Sequence, residues 1–126
     1  DGLLEMEGFD TSLAEGVMLL TPFNHDATDE KTVNFVKKYQ EQYNEIPNQF
    51  GADAYDCIYA IYQACTNGKV TADMTAQQIN DIMKAQFTSM SFDGITGTSM
   101  TWGTNGMVSK DPKGMVIQNG GYVGMD

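Results

Sequence analysis

Several groups of residues in this chain have the types that chemistry needs. His25 stands beside Asp26, with Asp29 and Glu30 close behind. On a helix, positions 26, 29 and 30 share a face, so the set could be drawn as a metal cluster. Zinc asks for several nitrogen or thiolate ligands, and His25 is the only histidine, with no cysteine near it in sequence. The plainer reading is the first turn of a helix, where carboxylates oppose the positive end of the dipole and Asp26 or Thr28 caps it. No metal site is expected. Paired carboxylates at Glu5 and Glu7, or at Asp53 and Asp56, could do acid–base work, but nothing in their spacing makes either pair converge on a pocket. There is no Gly-x-Ser-x-Gly elbow, and neither Cys57 nor Cys65 has a base beside it in sequence. The chain is therefore expected not to be an enzyme and to need no cofactor.

The stretch "FDGITGTSMTWGTNG" (92–106) packs four glycines and four threonines around one tryptophan. It could be a phosphate cradle, a tight structural turn or a ligand-lining crossover. A phosphate loop needs Gly-x-x-x-x-Gly-Lys and then Ser or Thr, opening into a helix. Here Gly94 and Gly97 lead into a strand pattern, with no lysine between them and Lys110. The phosphate reading fails.

The elements that must position these residues follow from periodicity. Residues 16–21 form a short apolar run between a glycine and Pro22, the pattern of a buried strand covered on both faces in a parallel sheet. Val33, Val36, Tyr39 and Tyr43 recur at helical spacing, with Asp29 and Glu30 in the first turn and Pro47 beyond, predicting a helix over 29–44. Residues 52–67 carry apolar or aromatic side chains at 55, 58, 59, 61, 62 and 65. That broad stripe predicts a largely buried helix closed by Asn67-Gly68. Thr75 followed by Gln78 matches a capping box, opening a third helix with Ile79, Ile82 and Met83 toward the core. Short strands are expected at 98–102, 114–118 and over Tyr122 and Val123, with turns at Asn105-Gly106 and Asn119-Gly120.

If Cys57 and Cys65 share that second helix, their backbones stand about 12 Å apart at about 1.5 Å per residue. A disulfide needs about 4.4–6.8 Å between alpha carbons, so the two cannot pair with each other. Two buried thiols are expected. The nine methionines include six at 74, 83, 90, 100, 107 and 115 with no helical stripe, which reads as core filling.

Composition narrows the class further. The 126 residues carry 17 carboxylates against seven cations, all lysine, for a net charge of −10. A nucleic-acid binder needs basic density to displace phosphate counterions, so that class is excluded. The absence of arginine removes the usual bidentate clamp for phosphate or carboxylate. No run of 18 apolar residues spans a membrane. The chain opens at Asp1-Gly2, and the simplest reading is a processed or truncated chain. The order of one strand, three helices and a strand cluster is α/β, with too few strands before the helices for a full doubly wound sheet.

Four stretches together resemble a known family. "FDGITG" followed by "SMTWGTNG", "AEGVMLLTPF" (14–23), "FVKKYQEQYNEIPNQFGADAYDCIYAIYQA" (35–64) and "MVIQNGGYV" (115–123) are similar in order and spacing to the C-terminal part of type I periplasmic binding proteins. These are the substrate-binding components of ABC importers, in the leucine/isoleucine/valine-binding protein family. The resemblance implies an α/β fold that is the C-terminal portion of a two-lobed ligand-binding domain over 1–126. Residues 1–22 would be a strand into a lobe crossover, 23–97 a helical part and 98–126 closing strands. It implies a solute, a branched-chain or other amino acid, held in an inter-lobe cleft and delivered to an ABC permease. Such a protein works outside the cytoplasm, in the periplasm or lipid-anchored at the cell surface.

By offset from the Tyr55-Asp56 motif, the resemblance places Phe50 against the ligand, with Gln49 and Asp53 where the loop enters the helix. Phe50 could equally be a staple onto that helix. The family's acidic ligand residue falls at or before the start of this chain, leaving Asp1 as a poor substitute. A ligand-sensing regulatory domain of the same fold is the alternative reading, and an acidic hydrolase a weaker one. A piece of such a fold would leave apolar helix faces uncovered and self-associate.

Overall fold

The computed structural model describes residues 2–125, and the candidate Asp1 lies outside the described residues. The chain forms two compact units: Asp1–Ala52 with Asp111–Asp126, and Asp53–Lys110.

In the first unit, two 3-10 turns (Leu3–Glu5 and Thr11–Ala14) precede strand β1 (Met18–Thr21). Helix α1 (Glu30–Tyr43) follows. The strands β2 (Lys113–Gln118) and β3 (Gly121–Gly124) then complete a three-stranded antiparallel sheet of order β1-β2-β3. The Asn119-Gly120 turn joins β2 to β3 with φ of 52° and 74°, the left-handed pair that a two-residue hairpin needs. α1 is capped by the Asp29 carboxylate, which accepts the Thr32 amide at 3.0 Å. Asn44 ends it in the left-handed region, its amide returning to the Gln40 carbonyl. Phe35 is buried edge-on against Phe23, with ring centroids 6.0 Å apart.

β1 differs from the expectation of a parallel strand covered on both faces. It is antiparallel to β2, and Met18 and Leu20 are 69% and 73% exposed. A run of consecutive apolar residues signals a strand but not its partner or its cover, because both faces carry the same chemistry.

Helix α2 (Gln49–Asn67) starts in the first unit and continues into the second, three residues earlier than its periodicity predicts. Asn48 explains the earlier start: its side chain accepts the Gly51 amide at 3.1 Å and its carbonyl the Ala52 amide, closing the first turn. The helix is not largely buried. Ala52, Asp56, Ala60 and Ala64 lie inside, while Ile58, Tyr59, Ile61 and Tyr62 are exposed. Small residues every fourth position make a flat stripe that lets neighbours approach closely, so the buried face is the one with the least apolar bulk.

In the second unit, α3 (Ala76–Phe87) opens with the Thr75/Gln78 capping box. Ala60 and Ala64 pack with Met90, Phe92 and Met100 into a core that Phe87 and Trp102 close edge-to-face at 4.9 Å. The strand expected at 98–102 is reduced to isolated bridges, Phe92 with Met100 and Trp102 with Val108. Cys57 is exposed and Cys65 partly buried, which corrects the expectation of two buried thiols. Both are free, and Cys57 falls outward because the inward positions of that turn are taken by Asp56 and Ala60.

Candidate functional site

The glycine- and threonine-rich stretch is a clasp. Asp56, buried on α2, accepts hydrogen bonds from the Ile95 amide at 3.0 Å, the Thr96 amide at 2.8 Å and the Thr96 hydroxyl at 2.6 Å. Gly94 is required because any side chain there would collide with the Asp56 carboxylate. Gly94, Ile95 and Thr96 of the 92–97 stretch are thus used to hold this loop on α2.

Asp53 is also occupied. Its Oδ1 lies 2.6 Å from the Lys110 ammonium, with the two side chains 35% and 25% exposed. The pair sits on a cavity of about 180 Å³ in the second unit, whose walls are otherwise mostly apolar, including Phe87, Met100 and Trp102. Asp53 and Asp56 therefore do not face one another across a shared proton. One is ion-paired and the other satisfied by three donors.

The larger cavity, about 370 Å³, lies in the first unit. Its volume falls in the range of small-molecule sites. Leu19 of β1, Phe23, Ile46 and Met115 give it apolar walls, and Thr21, His25, Asn48, Gln49 and Tyr122 give it polar groups. Local structure positions these. Thr21 ends β1 with its side chain buried, accepting the Phe23 amide at 3.2 Å and donating its proton to Gln49 Oε1 at 2.9 Å. That bond ties the end of β1 to the start of α2 and fixes Gln49 on the cavity wall. His25 Nε2 lies 3.2 Å from Asp26, whose amide is held by the Asn24 side chain at 2.9 Å. The tight Asn119-Gly120 turn brings Tyr122 back onto the cavity. Its hydroxyl is enclosed with no hydrogen-bond partner among the described residues.

Among the described lining residues there is no lysine, aspartate or glutamate. The cavity can take the apolar part of a small solute and exchange hydrogen bonds with its polar part. It has no pair of carboxylates for acid–base work. Phe50 is 62% exposed and does not line this cavity. Of the residues singled out in sequence, Gln49 lies on the wall, Phe50 is its exposed neighbour and Asp53 opens the second unit. Thr21 and Tyr122 were not anticipated as parts of a site, since their roles depend on partners 28 residues away and on the hairpin register. The Thr21-Pro22 strand end was the one local signal. Among the described residues no group of three or more His, Cys, Asp and Glu side chains could hold a metal ion, and no helix is long and apolar enough to cross a membrane.

The description "Periplasmic binding protein" matches residues 5–121, and the chain belongs to that family. Solved structures agree on the fold. A leucine binding protein, LivK, from Thermotoga maritima is 20% identical, with 90% of this chain and 31% of that one covered at a TM-score of 0.69. The branched-chain amino acid transporter substrate binding protein LivJ from Streptococcus pneumoniae, in complex with isoleucine, is 21% identical. It covers 89% of this chain and 30% of its own, with a TM-score of 0.70. A solute binding protein of an ABC transporter from R. palustris, in complex with benzoate, is 15% identical. There the coverage is 99% and 32%, and the TM-score 0.75. No curated protein matches. The chain spans about a third of the length of these solved chains. Its mixed helices and antiparallel sheet are part of the type I periplasmic binding protein fold.

Proposed function

We propose that this chain forms one wall of a solute site in the binding component of an ABC importer. Its solute is small, with an apolar portion, such as an amino acid with an aliphatic side chain. Gln49 is the polar contact and Phe50 a flanking aromatic. The observation that carries the reading is the Thr21–Gln49 hydrogen bond, which sets one polar group on the wall of a cavity without fixed charge. Burying an amide side chain costs free energy unless it is bonded, so holding it there prepares the wall for a ligand. Structures of the same fold hold leucine, isoleucine and benzoate, which supports a solute of this size. The site's chemistry is binding, with delivery to a permease outside the cytoplasm, in the periplasm or at the cell surface.

One wall supplies only part of the contacts that a closed site would, so binding by this chain is expected in the millimolar range. Titration with leucine, isoleucine and benzoate, followed by amide chemical shifts, is the test. Shifts should concentrate at 19–25, 46–50 and 121–122, and Gln49→Ala should weaken binding roughly two- to tenfold, the worth of one hydrogen bond. Shifts scattered elsewhere, or a Gln49→Ala chain that binds unchanged, would remove the basis for the site.

A further inference from the structure

The second unit holds a cavity of its own, which the solute reading leaves unused. It measures about 180 Å³, and the described residues that line it all fall within 53–110. Phe87, Phe92, Met100 and Trp102 give it a largely apolar wall, and the Asp53–Lys110 ion pair stands in the same lining. We propose that this cavity is a second binding site, for an uncharged molecule of one aromatic ring bearing a hydroxyl group. The ring packs against Phe87 and Trp102, and the hydroxyl bonds to the ion pair.

Size sets the first limit. An apolar cavity of about 150 Å³ takes one benzene ring, so this one has room for a ring with a small substituent and not for a second ring. The wall favours an aromatic guest over an aliphatic one. Phe87 and Trp102 already meet edge-to-face at 4.9 Å, and a further ring extends that packing, with Met100 as a soft contact. The polar group of the guest follows from the charges. Lys110 and Asp53 cancel one another, and Asp56, also in the lining, is satisfied by the Ile95 and Thr96 amides and the Thr96 hydroxyl. An incoming carboxylate would meet Asp53 as well as Lys110, and an incoming ammonium would meet Lys110 as well as Asp53. Either would give up its water for opposing charges. A hydroxyl suits both partners, because it donates one hydrogen and accepts another. The 2.6 Å contact occupies a single ammonium hydrogen and a single carboxylate oxygen, and the two side chains stay 25% and 35% exposed, within reach of a guest.

This inference uses none of the residues of the solute wall, so the two readings fail separately. Phenol is titrated into the chain, with toluene, benzoate and benzylamine alongside. Two reporters line this cavity: Trp102, the only tryptophan, and the exposed thiol of Cys57. Phenol should move the Trp102 indole resonance. At about three times its dissociation constant it should slow Cys57 labelling about fourfold, by occupancy, and leave Cys65 unaffected. Benzoate and benzylamine should bind more weakly than phenol. Replacing the pair together, Asp53→Leu with Lys110→Met, should lower the phenol-to-toluene affinity ratio roughly three- to tenfold, the worth of one hydrogen bond. Exchanging both partners for apolar side chains is often neutral for stability. Cys57→Phe, at an exposed position, should crowd the cavity and abolish the Trp102 response. A Cys57 thiol that phenol does not protect, an unchanged ratio in the double variant, or tighter binding of benzoate or benzylamine would overturn the proposal. So would phenol shifts confined to 19–25 and 46–50, which belong to the larger cavity. If the double variant does not fold, Cys57→Phe decides, and a Trp102 response that survives it counts against the site.

Discussion

The Thr96 hydroxyl donates to Asp56 Oδ2 at 2.6 Å, forty residues back along the chain. With the Ile95 and Thr96 amides on the same carboxylate, this is how α2 holds the 92–97 loop over the core of the second unit. Hydrogen bonds to a charged group are each worth about 1.5–3 kcal/mol, and a buried donor left without a partner costs about 1–3 kcal/mol. Asp56→Ala should therefore destabilise the chain by about 3 kcal/mol or more in denaturant unfolding. Gly94→Ala should act in the same direction, because its new methyl group meets the carboxylate. A loss below about 1 kcal/mol for Asp56→Ala would mean that water replaces the loop's bonds.

What could be read in advance divides by distance along the chain. The Thr75/Gln78 box of α3 and the Asn119-Gly120 turn are signals written within four residues, and each appears where the sequence puts it, whereas α1 is capped by Asp29 and not by the expected Asp26 or Thr28. The inward face of α2 was not legible. Ala52, Ala60 and Ala64 carry little hydrophobic weight, so the large residues at 58, 59 and 62 dominated the periodicity although they point to solvent. The partners of Asp56, Asp53 and Thr21 lie 40, 57 and 28 residues away, beyond the reach of any local pattern. The polar walls of the larger cavity depend on such contacts, and that is why the sequence pointed only to the segment around Gln49.

Acid should loosen α1 first through its cap. Burial opposes ionisation of Asp29, but the Thr32 amide and hydroxyl, with Lys113 nearby, outweigh it and hold the carboxyl below its ordinary 3.8. A folded value below the unfolded one means that folding favours the ionised form. That stabilisation is complete above the unfolded value and is lost as pH falls through the folded one. Melting temperature followed from about pH 5 to pH 2 should fall less steeply in Asp29→Asn than in the parent. Asp10 and Asp73, lowered chiefly by the Ser12 and Thr71 side chains, add to the same acid limb. Asp29→Ala at neutral pH should cost about 1 kcal/mol, the usual worth of an N-cap. Identical acid limbs in parent and Asp29→Asn would show that the cap's charge has no part in stability.

The thiols should separate kinetically. Cys57 is exposed on α2, whereas Cys65 is partly buried with its sulfur 3.8 Å from that of Met83. Timed labelling of the folded chain should give one fast group and one slow group, with two in total after unfolding. Cys57→Ser should abolish the fast phase and leave the slow one. Two slow groups, or one group only after unfolding, would contradict the exposure assigned to Cys57.

The outward face of α2 gives the last prediction. Tyr55, Ile58, Tyr59 and Tyr62 follow at spacings of three, one and three residues, so they line one stripe, and Ile58 and Tyr62 are 66% and 68% exposed. The stripe is uncharged at neutral pH in a chain of net charge −10. Burial and the Tyr59 hydroxyl push the Tyr55 phenol up to about 12, so it remains uncharged there too. Apolar surface of this extent on an acidic molecule favours contact with a second copy over contact with water, since charge repulsion is least where no charge stands. Sedimentation should show association that grows with concentration and is stronger at high salt, where repulsion between acidic chains is screened. Ile58→Lys with Tyr62→Lys should weaken it by roughly tenfold or more, because burying each large apolar side chain contributes about 1.5–3 kcal/mol. Both positions are exposed, so helicity should be unaffected. A chain that stays monomeric at every concentration, or one whose association ignores both lysines, would show that this stripe is not the surface through which copies meet.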